Sequence, residues 1–218
     1  FCCTIKHMFY FNGNNLLKSS ILQGLEHCFT TRGVSVEDLG FVNLIHPTQT
    51  HSANVAFVKP GVADYPDTDA LVLDGPGAVY LKFADCTPVI LYNRTSGAAA
   101  VAHAGWRGTA QKIVQRTVEM LGKGEIAAAV GPAICGKCYD VGEEVFERLA
   151  PVQGEFERRD GKIFVDLKSI NARQLREAGV NEVDICPYCT CCNNDLFYSY
   201  RKENGTANRH YAVIRLTI

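Results

Sequence analysis

Short apolar segments of strand length, each closed by Gly, Pro, Asp or Asn, recur along this chain and restrict it to a sheet-rich fold. Residues 41–45, 54–58, 78–83, 88–92, 98–102 and 126–130 are of this kind, and 163–167, 197–200 and 211–217 continue the series. Runs of that length, rich in β-branched and aromatic residues and flanked by turn formers, predict strands. Two stretches have helical spacing instead. In 109–121, Ala110, Ile113, Val114, Val118 and Leu121 share one face, and Gly122 and Gly124 end the pattern. In 167–178, Leu167, Ile170, Leu175 and Ala178 do the same before Gly179, and a weaker helix is expected over 143–149. Many strands with a few helices and no strict alternation predict an α+β (mixed α/β) fold. With no internal repeat or Pro/Ser-rich linker, 1–218 reads as a single domain.

A chain of 218 residues buries roughly 70% of its unfolded surface, so it needs no disulfide staples. The formal net charge of −1 argues against non-specific nucleic-acid binding and against attraction to an anionic membrane. No apolar run approaches the ~20 residues of a membrane-spanning helix. The opening segment 1–7 has neither an initiator Met nor the charged-then-apolar pattern of a signal peptide, and reads as a chain lacking its leading residues. Ten cysteines are many for a chain with a normal hydrophobic complement, and they read as reduced thiols of a cytoplasmic protein.

Three separated turns offer metal-competent side chains. Gln49-Thr50-His51-Ser52 precedes one strand, Ala84-Asp85-Cys86-Thr87-Pro88 interrupts two others, and Ala102-His103-Ala104-Gly105-Trp106-Arg107-Gly108 leads from a strand into a helix. Strand ends are where a scaffold can aim ligands at a shared point. One thiolate and two imidazoles, from Cys86, His51 and His103, form a three-ligand set suited to Zn²⁺ with the fourth tetrahedral position open. Each of these residues also has a plain reading, as a hydrogen-bonded core His or a small buried Cys. Asp85 breaks an otherwise apolar run and needs a partner or a task. Gly105 and Gly108 permit close backbone approach, while Arg107 at a helix start favours an anion such as phosphate.

These segments resemble the YfiH-like family, whose members are named as laccase-domain or polyphenol oxidoreductase proteins and as purine nucleoside phosphorylases. The likeness is carried by Gln49-Thr50-His51, Asp69-Ala70-Leu71-Val72, Ala84-Asp85-Cys86-Thr87-Pro88-Val89 and His103-Ala104-Gly105-Trp106-Arg107-Gly108. Phe29-Thr30-Thr31-Arg32-Gly33, Gly131-Pro132-Ala133-Ile134, Cys138-Tyr139-Asp140-Val141-Gly142, Cys189-Thr190, Phe197-Tyr198-Ser199-Tyr200-Arg201 and the stretch 206–209 extend it in order. The resemblance implies mixed sheets packed between helices in α/β/β/α layers. It implies that His51, Cys86 and His103 are the metal ligands and catalytic centre. It further implies phosphorolysis of adenosine, inosine and S-methyl-5'-thioadenosine, with adenosine deamination as a second activity. Bacterial relatives are also linked to peptidoglycan editing. The chain departs from the pattern at Thr50 and Ser52, where members usually have Val and Gly, and at Asn208, usually Gly. Its segment between Gly33 and Gln49 is shorter than members commonly have, which predicts a reduced pocket wall.

The expected substrates are a nucleoside and phosphate, with no obligate protein partner. Arg32, Arg107 and Arg201 are the cations in motif positions, and Tyr198 or Tyr200 could stack on a base. Gln49 and Asp85 are expected beside the ligands, Asp85 either carrying a proton or orienting a His. Cys86 as a nucleophile with His103 as base is the metal-free alternative. Copper also takes His₂Cys sites, commonly with an axial Met. Met8 and Met120 lie outside the motifs, however, and His7, His27, His46 and His210 cannot build a histidine-rich cluster for a copper oxidase. Zinc is therefore the expected metal and copper the lesser candidate. Cys135-x-x-Cys138 and Cys186-x-x-Cys189 could hold a second zinc, but 139–185 separate them, well beyond the usual ~15–20 residues.

Overall fold

The computed structural model describes residues 8–13, 15–152, 155–180 and 182–217, so the reading of segment 1–7 lies outside the described residues. Two six-stranded mixed sheets face each other. With strands numbered in chain order, the first sheet runs β1 (Phe9–Phe11), β2 (Leu16–Ser19), β3 (Glu26–Thr30), β15 (His210–Leu216), β7 (Gly77–Phe83) and β4 (Leu44–Ile45). The second runs β14 (Glu182–Ile185), β10 (Ile126–Val130), β8 (Thr87–Asn93), β9 (Ala99–Ala104), β6 (Ala70–Leu73) and β5 (Val55–Phe57). A small third sheet joins β11 (Asp140–Val141), β13 (Lys162–Val165) and β12 (Phe156–Arg159). The fold is mixed α/β, as the sequence pattern implies.

Strand alternation divides the core. Leu71, Ile90, Val101 and Ala129 of the second sheet meet Phe29, Leu81, Phe83 and Ile214 of the first. The intervening residues Ala70, Val89, Ala100, Ala102 and Ala128 face outward onto helices α2 (Ile113–Leu121) and α4 (Leu167–Glu177). Alanines on that face let the α2 residues Ile113, Val114 and Val118 sit close to the sheet, each contributing roughly 1.5–3 kcal/mol by burial. Among the described residues the outer face of the first sheet has no such helical layer. Cys28, Tyr80 and Val213 are covered there by Val36, Leu39 and Phe41 around a single 3₁₀ turn, Glu37–Leu39. The short segment after Gly33 thus leaves one outer layer thin.

Three expectations are corrected. The helix expected over 109–121 is split into α1 (Trp106–Ala110) and α2 by Lys112, whose φ is 63°. Its apolar positions serve two surfaces: Ala110 packs with Trp106 beside α3 (Glu143–Leu149), and the α2 residues pack on the sheet. The run 163–167 ends at Val165, because Asp166 caps α4 by accepting the Ser169 N–H at 3.2 Å. Segment 197–200 is no strand, since its backbone is satisfied by side chains: Asn194 donates to the Phe197 carbonyl and Glu203 accepts the Ser199 N–H. Among the described residues no helix is long and apolar enough to cross a membrane.

Candidate metal centre

The link between β7 and β8 decides where the site lies. β7 belongs to the first sheet and β8 to the second, so residues 84–86 carry the chain from one sheet to the other. That crossing is the physical reason for a charge inside an apolar run: Asp85 and Cys86 lie where the sheets part. His103 sits near the end of β9 on the inter-sheet face, its ring centroid 5.4 Å from that of Phe83. His51 occupies the turn before β5 with φ 64°. The ligand atoms of His51, Cys86 and His103 all lie within 4.8 Å of one another. The two imidazole centroids are 4.9 Å apart.

Asp69, fully buried at the edge of β6, organises this cluster. Its Oδ1 accepts the His103 Nδ1–H at 2.7 Å and the His51 backbone N–H at 3.1 Å. Its Oδ2 accepts the N–H groups of Thr50 and Ser52 at 3.1 and 2.7 Å and the Ser52 hydroxyl at 2.9 Å. One carboxylate therefore fixes the His51 turn and the His103 tautomer, leaving His103 Nε2 for a metal. Burial alone would raise the Asp69 pKa, but the His103 hydrogen bond and charge and the Ser52 donors bring it down to about 2.

Burial would likewise raise the Cys86 thiol, yet the charge and hydrogen bonds of His103 and His51 bring it to about 6. Burial lowers the His103 pKa, and the Cys86 thiolate and Asp69 reverse this to about 9. A thiolate against two imidazoles is a donor set for a borderline-soft cation. Gly105 makes room for it: a Cβ there would stand 2.9 Å from Cys86 Sγ and 3.3 Å from His51 Cδ2. Gly108 brings the start of α1 against the Ser52 carbonyl, which a Cβ would approach to 3.1 Å.

The cluster opens on a pocket of about 300 Å³, walled by Asp85, Tyr139, Tyr200, Arg201 and Arg209. Among the described residues Asp85 makes no hydrogen bond to either imidazole. It accepts the Thr190 hydroxyl at 2.5 Å and the Arg201 N–H at 2.9 Å, tying the 190–201 segment to the site. Asp69 holds the His-orienting position, one of the two roles expected of Asp85. Gln49 bonds the backbone of Lys82 in both directions, clamping its loop to β7.

Of the expected substrate contacts, Arg201 lines the pocket and its guanidinium pairs with Asp140 at 2.5 Å. Arg32 and Tyr198 do not line it. Arg32 stacks 4.3 Å from the Tyr198 ring and pairs with Glu203 at 2.5 Å. Arg107 is exposed and stacks 4.3 Å over its neighbour Trp106. Sequence reasoning passed over Arg209 and Tyr139. The Arg209 guanidinium is held by the carbonyls of Thr206 and Asn208, with no carboxylate paired to it among the described residues.

The sequence profile of the family described as multi-copper polyphenol oxidoreductase laccase matches residues 26–217. The chain belongs to this family. Within it, a purine nucleoside phosphorylase of Deinococcus radiodurans is 38% identical over 192 residues, covering 84% of this chain and 72% of that protein. Adenosine deaminase RL5, from an unknown prokaryotic organism, is 34% identical over 207 residues, covering 84% and 76%. The crystal structure of YlmD from Geobacillus stearothermophilus superposes with a TM-score of 0.88 at 25% identity, covering 97% of this chain and all of that one (100%).

The multi-copper description of the family meets a sparse set of histidines in this member. Among the described residues, metal-competent groups of three or more are His51/Cys86/His103 and a four-cysteine cluster. His27 is bonded to the backbone of Ser19 and Leu25, His46 lies against Tyr80, and His210 packs between Phe83 and Phe197. None of these three joins a histidine-rich cluster.

Proposed function

We propose that this family member is a zinc-dependent purine nucleoside enzyme that cleaves adenosine, inosine and S-methyl-5'-thioadenosine by phosphorolysis and also deaminates adenosine. One observation carries the reading: a cluster of one thiolate and two imidazoles reaches, through Cys86 and His51, a pocket whose walls hold two guanidinium groups and two phenol rings, with His103 buried behind them. The family's phosphorylase and deaminase names supply the substrate class, and the wall chemistry suits it.

His51, Cys86 and His103 would hold the zinc. When bound, it supplies Lewis acidity and a water whose pKa falls to around 7. Asp69 keeps His103 in the ligating tautomer. Arg209 and Arg201 offer positive charge to phosphate, Arg209 without a competing carboxylate. Tyr200, exposed at the mouth, provides a face for the purine. Tyr139 stays a neutral phenol, because burial and the Cys86 charge raise its pKa, so its O–H can donate to a ring nitrogen as the base departs. The Asp85 carboxylate holds the pocket wall through Thr190 and Arg201. The eight described cysteines are free thiols, which fits a reducing, cytoplasmic setting.

The test is to incubate the zinc-loaded protein with adenosine, with and without phosphate, and separate adenine, inosine and hypoxanthine. Adenine formed only with phosphate reports phosphorolysis, and inosine formed without it reports deamination. Neither product from protein with stoichiometric zinc would overturn the nucleoside reading and turn attention to peptidoglycan fragments.

A further inference from the structure

The structure rearranges the cysteine pairs expected from the sequence. Cys186 is fully buried in the core between the sheets, and its carbonyl is held by the buried Lys168 ammonium at 2.8 Å. It is no partner for Cys189. The pair is instead Cys189-x-x-Cys192, and it faces Cys135-x-x-Cys138. The four sulfurs lie within 4.8 Å of one another, with Cys138 and Cys192 Sγ 3.4 Å apart. A tetrahedral zinc with ~2.3 Å Zn–S bonds sets its sulfurs about 3.8 Å apart, which falls within this spread.

The backbone around the cluster is built for thiolates. Cys189 Sγ accepts two amide N–H groups, from Cys135 at 3.3 Å and from Cys192 at 3.4 Å. Both C-x-x-C segments are turns: the Cys138 N–H returns to the Cys135 carbonyl, and the Asn193 N–H to the Cys189 carbonyl. A parallel bridge between Ala133 and Cys189 holds the two segments in register. These residues are remote in sequence and come together because the chain passes through β11 to β14 between them.

We propose that Cys135, Cys138, Cys189 and Cys192 bind a structural zinc ion, separate from the His51/Cys86/His103 centre. Four thiolates in a closed tetrahedral shell make a structural rather than a catalytic site. Its position gives it a task. Tyr139, next to Cys138, and Asp85, bonded to Thr190 next to Cys189, both line the nucleoside pocket, and Arg201 Nη1 donates to the Cys138 carbonyl at 3.4 Å. The ion would pin the two loops that form one pocket wall. This inference stands whatever reaction the other centre performs.

The test compares metal bound per chain, after expression with zinc and purification in reductant, for wild type, Cys86→Ala, Cys192→Ser and Cys191→Ser. Cys86→Ala and Cys192→Ser should each hold one zinc fewer than wild type, and Cys191→Ser as many. Because Cys192 is exposed, its substitution leaves the core intact. As a second measurement, cobalt(II) loaded into Cys86→Ala should give the strong visible absorption of a tetrahedral tetrathiolate complex. A Cys86→Ala protein with no tightly bound zinc and no such cobalt spectrum would overturn the proposal. So would a Cys138–Cys192 disulfide found in the reduced preparation.

Discussion

The Nδ1–H of His103 donates to Oδ1 of Asp69 across 2.7 Å, with both side chains shut away from solvent. Asp69 immediately precedes β6, which pairs antiparallel with the β9 strand that carries His103, Ala70 opposite Ala102. The His103 backbone N–H also bonds the Asp69 carbonyl at 2.7 Å, so strand pairing and ligand orientation are one arrangement.

Asp69→Asn tests that arrangement. An amide can still accept from His103, but its NH₂ must then face the N–H groups of Thr50 and Ser52. Zinc affinity, measured by chelator competition, should fall roughly 10–100-fold. The unpaired donors should lower unfolding free energy by about 1–3 kcal/mol in urea titrations. Unchanged affinity would show that Asp69 does not position the ligand.

Gly105→Ala places a methyl 2.9 Å from Cys86 Sγ, and neither the thiolate nor His51 can yield without leaving the shared point. Metal content should drop, with a stability cost of about 1–3 kcal/mol from overpacking. Full zinc occupancy with an unshifted melting temperature would refute the close packing.

How much could be read in the sequence follows from these residues. The clustering of His51, Cys86 and His103 was legible because these residues are chemically distinctive and sit at strand ends. Asp69 was not, although it opens the quoted run before Ala70, because its importance depends on which strand lies beside β6. Arg32 lies in a quoted motif, yet its partner Glu203 is remote in sequence and it does not line the pocket. The fold class was legible from strand-length runs and helical spacing. The break at Lys112 was not, because periodicity cannot show that Ala110 and Ile113 pack against different surfaces. The pairing of Cys186 with Cys189 failed for a related reason: Cys192 also forms C-x-x-C with Cys189, and burial separates the two candidates.

Arg32→Ala and Arg209→Ala should behave differently. Losing the partly exposed Arg32–Glu203 pair and the stacking on Tyr198 should cost about 1 kcal/mol of stability, with phosphate KM nearly unchanged. Arg209→Ala should raise phosphate KM roughly tenfold or more, as expected for a charge-assisted contact, with little change in melting temperature. Steady-state kinetics and thermal unfolding of both variants check the contrast.

His27 should contribute acid sensitivity. Burial holds its pKa at about 4, against about 6.5 for an unfolded chain, and its neutral ring accepts the Ser19 N–H while donating to the Leu25 carbonyl. The unfolded state binds the extra proton first, so this contribution to stability is complete above pH ~6.5 and is lost as pH falls toward ~4. Urea midpoints should decline across that window, and His27→Gln should flatten the decline. An equal slope in the variant would place the sensitivity elsewhere.

The most direct measurement is purine release from adenosine by zinc-loaded wild type beside Cys86→Ala and His51→Ala, each with its bound metal quantified. Wild type should release adenine in a phosphate-dependent reaction, and each variant should lose the metal of that centre and at least ~100-fold in rate, on the scale of removing a main electrostatic contribution. Wild-type rates in either variant after loss of that metal would contradict a catalytic centre at His51, Cys86 and His103.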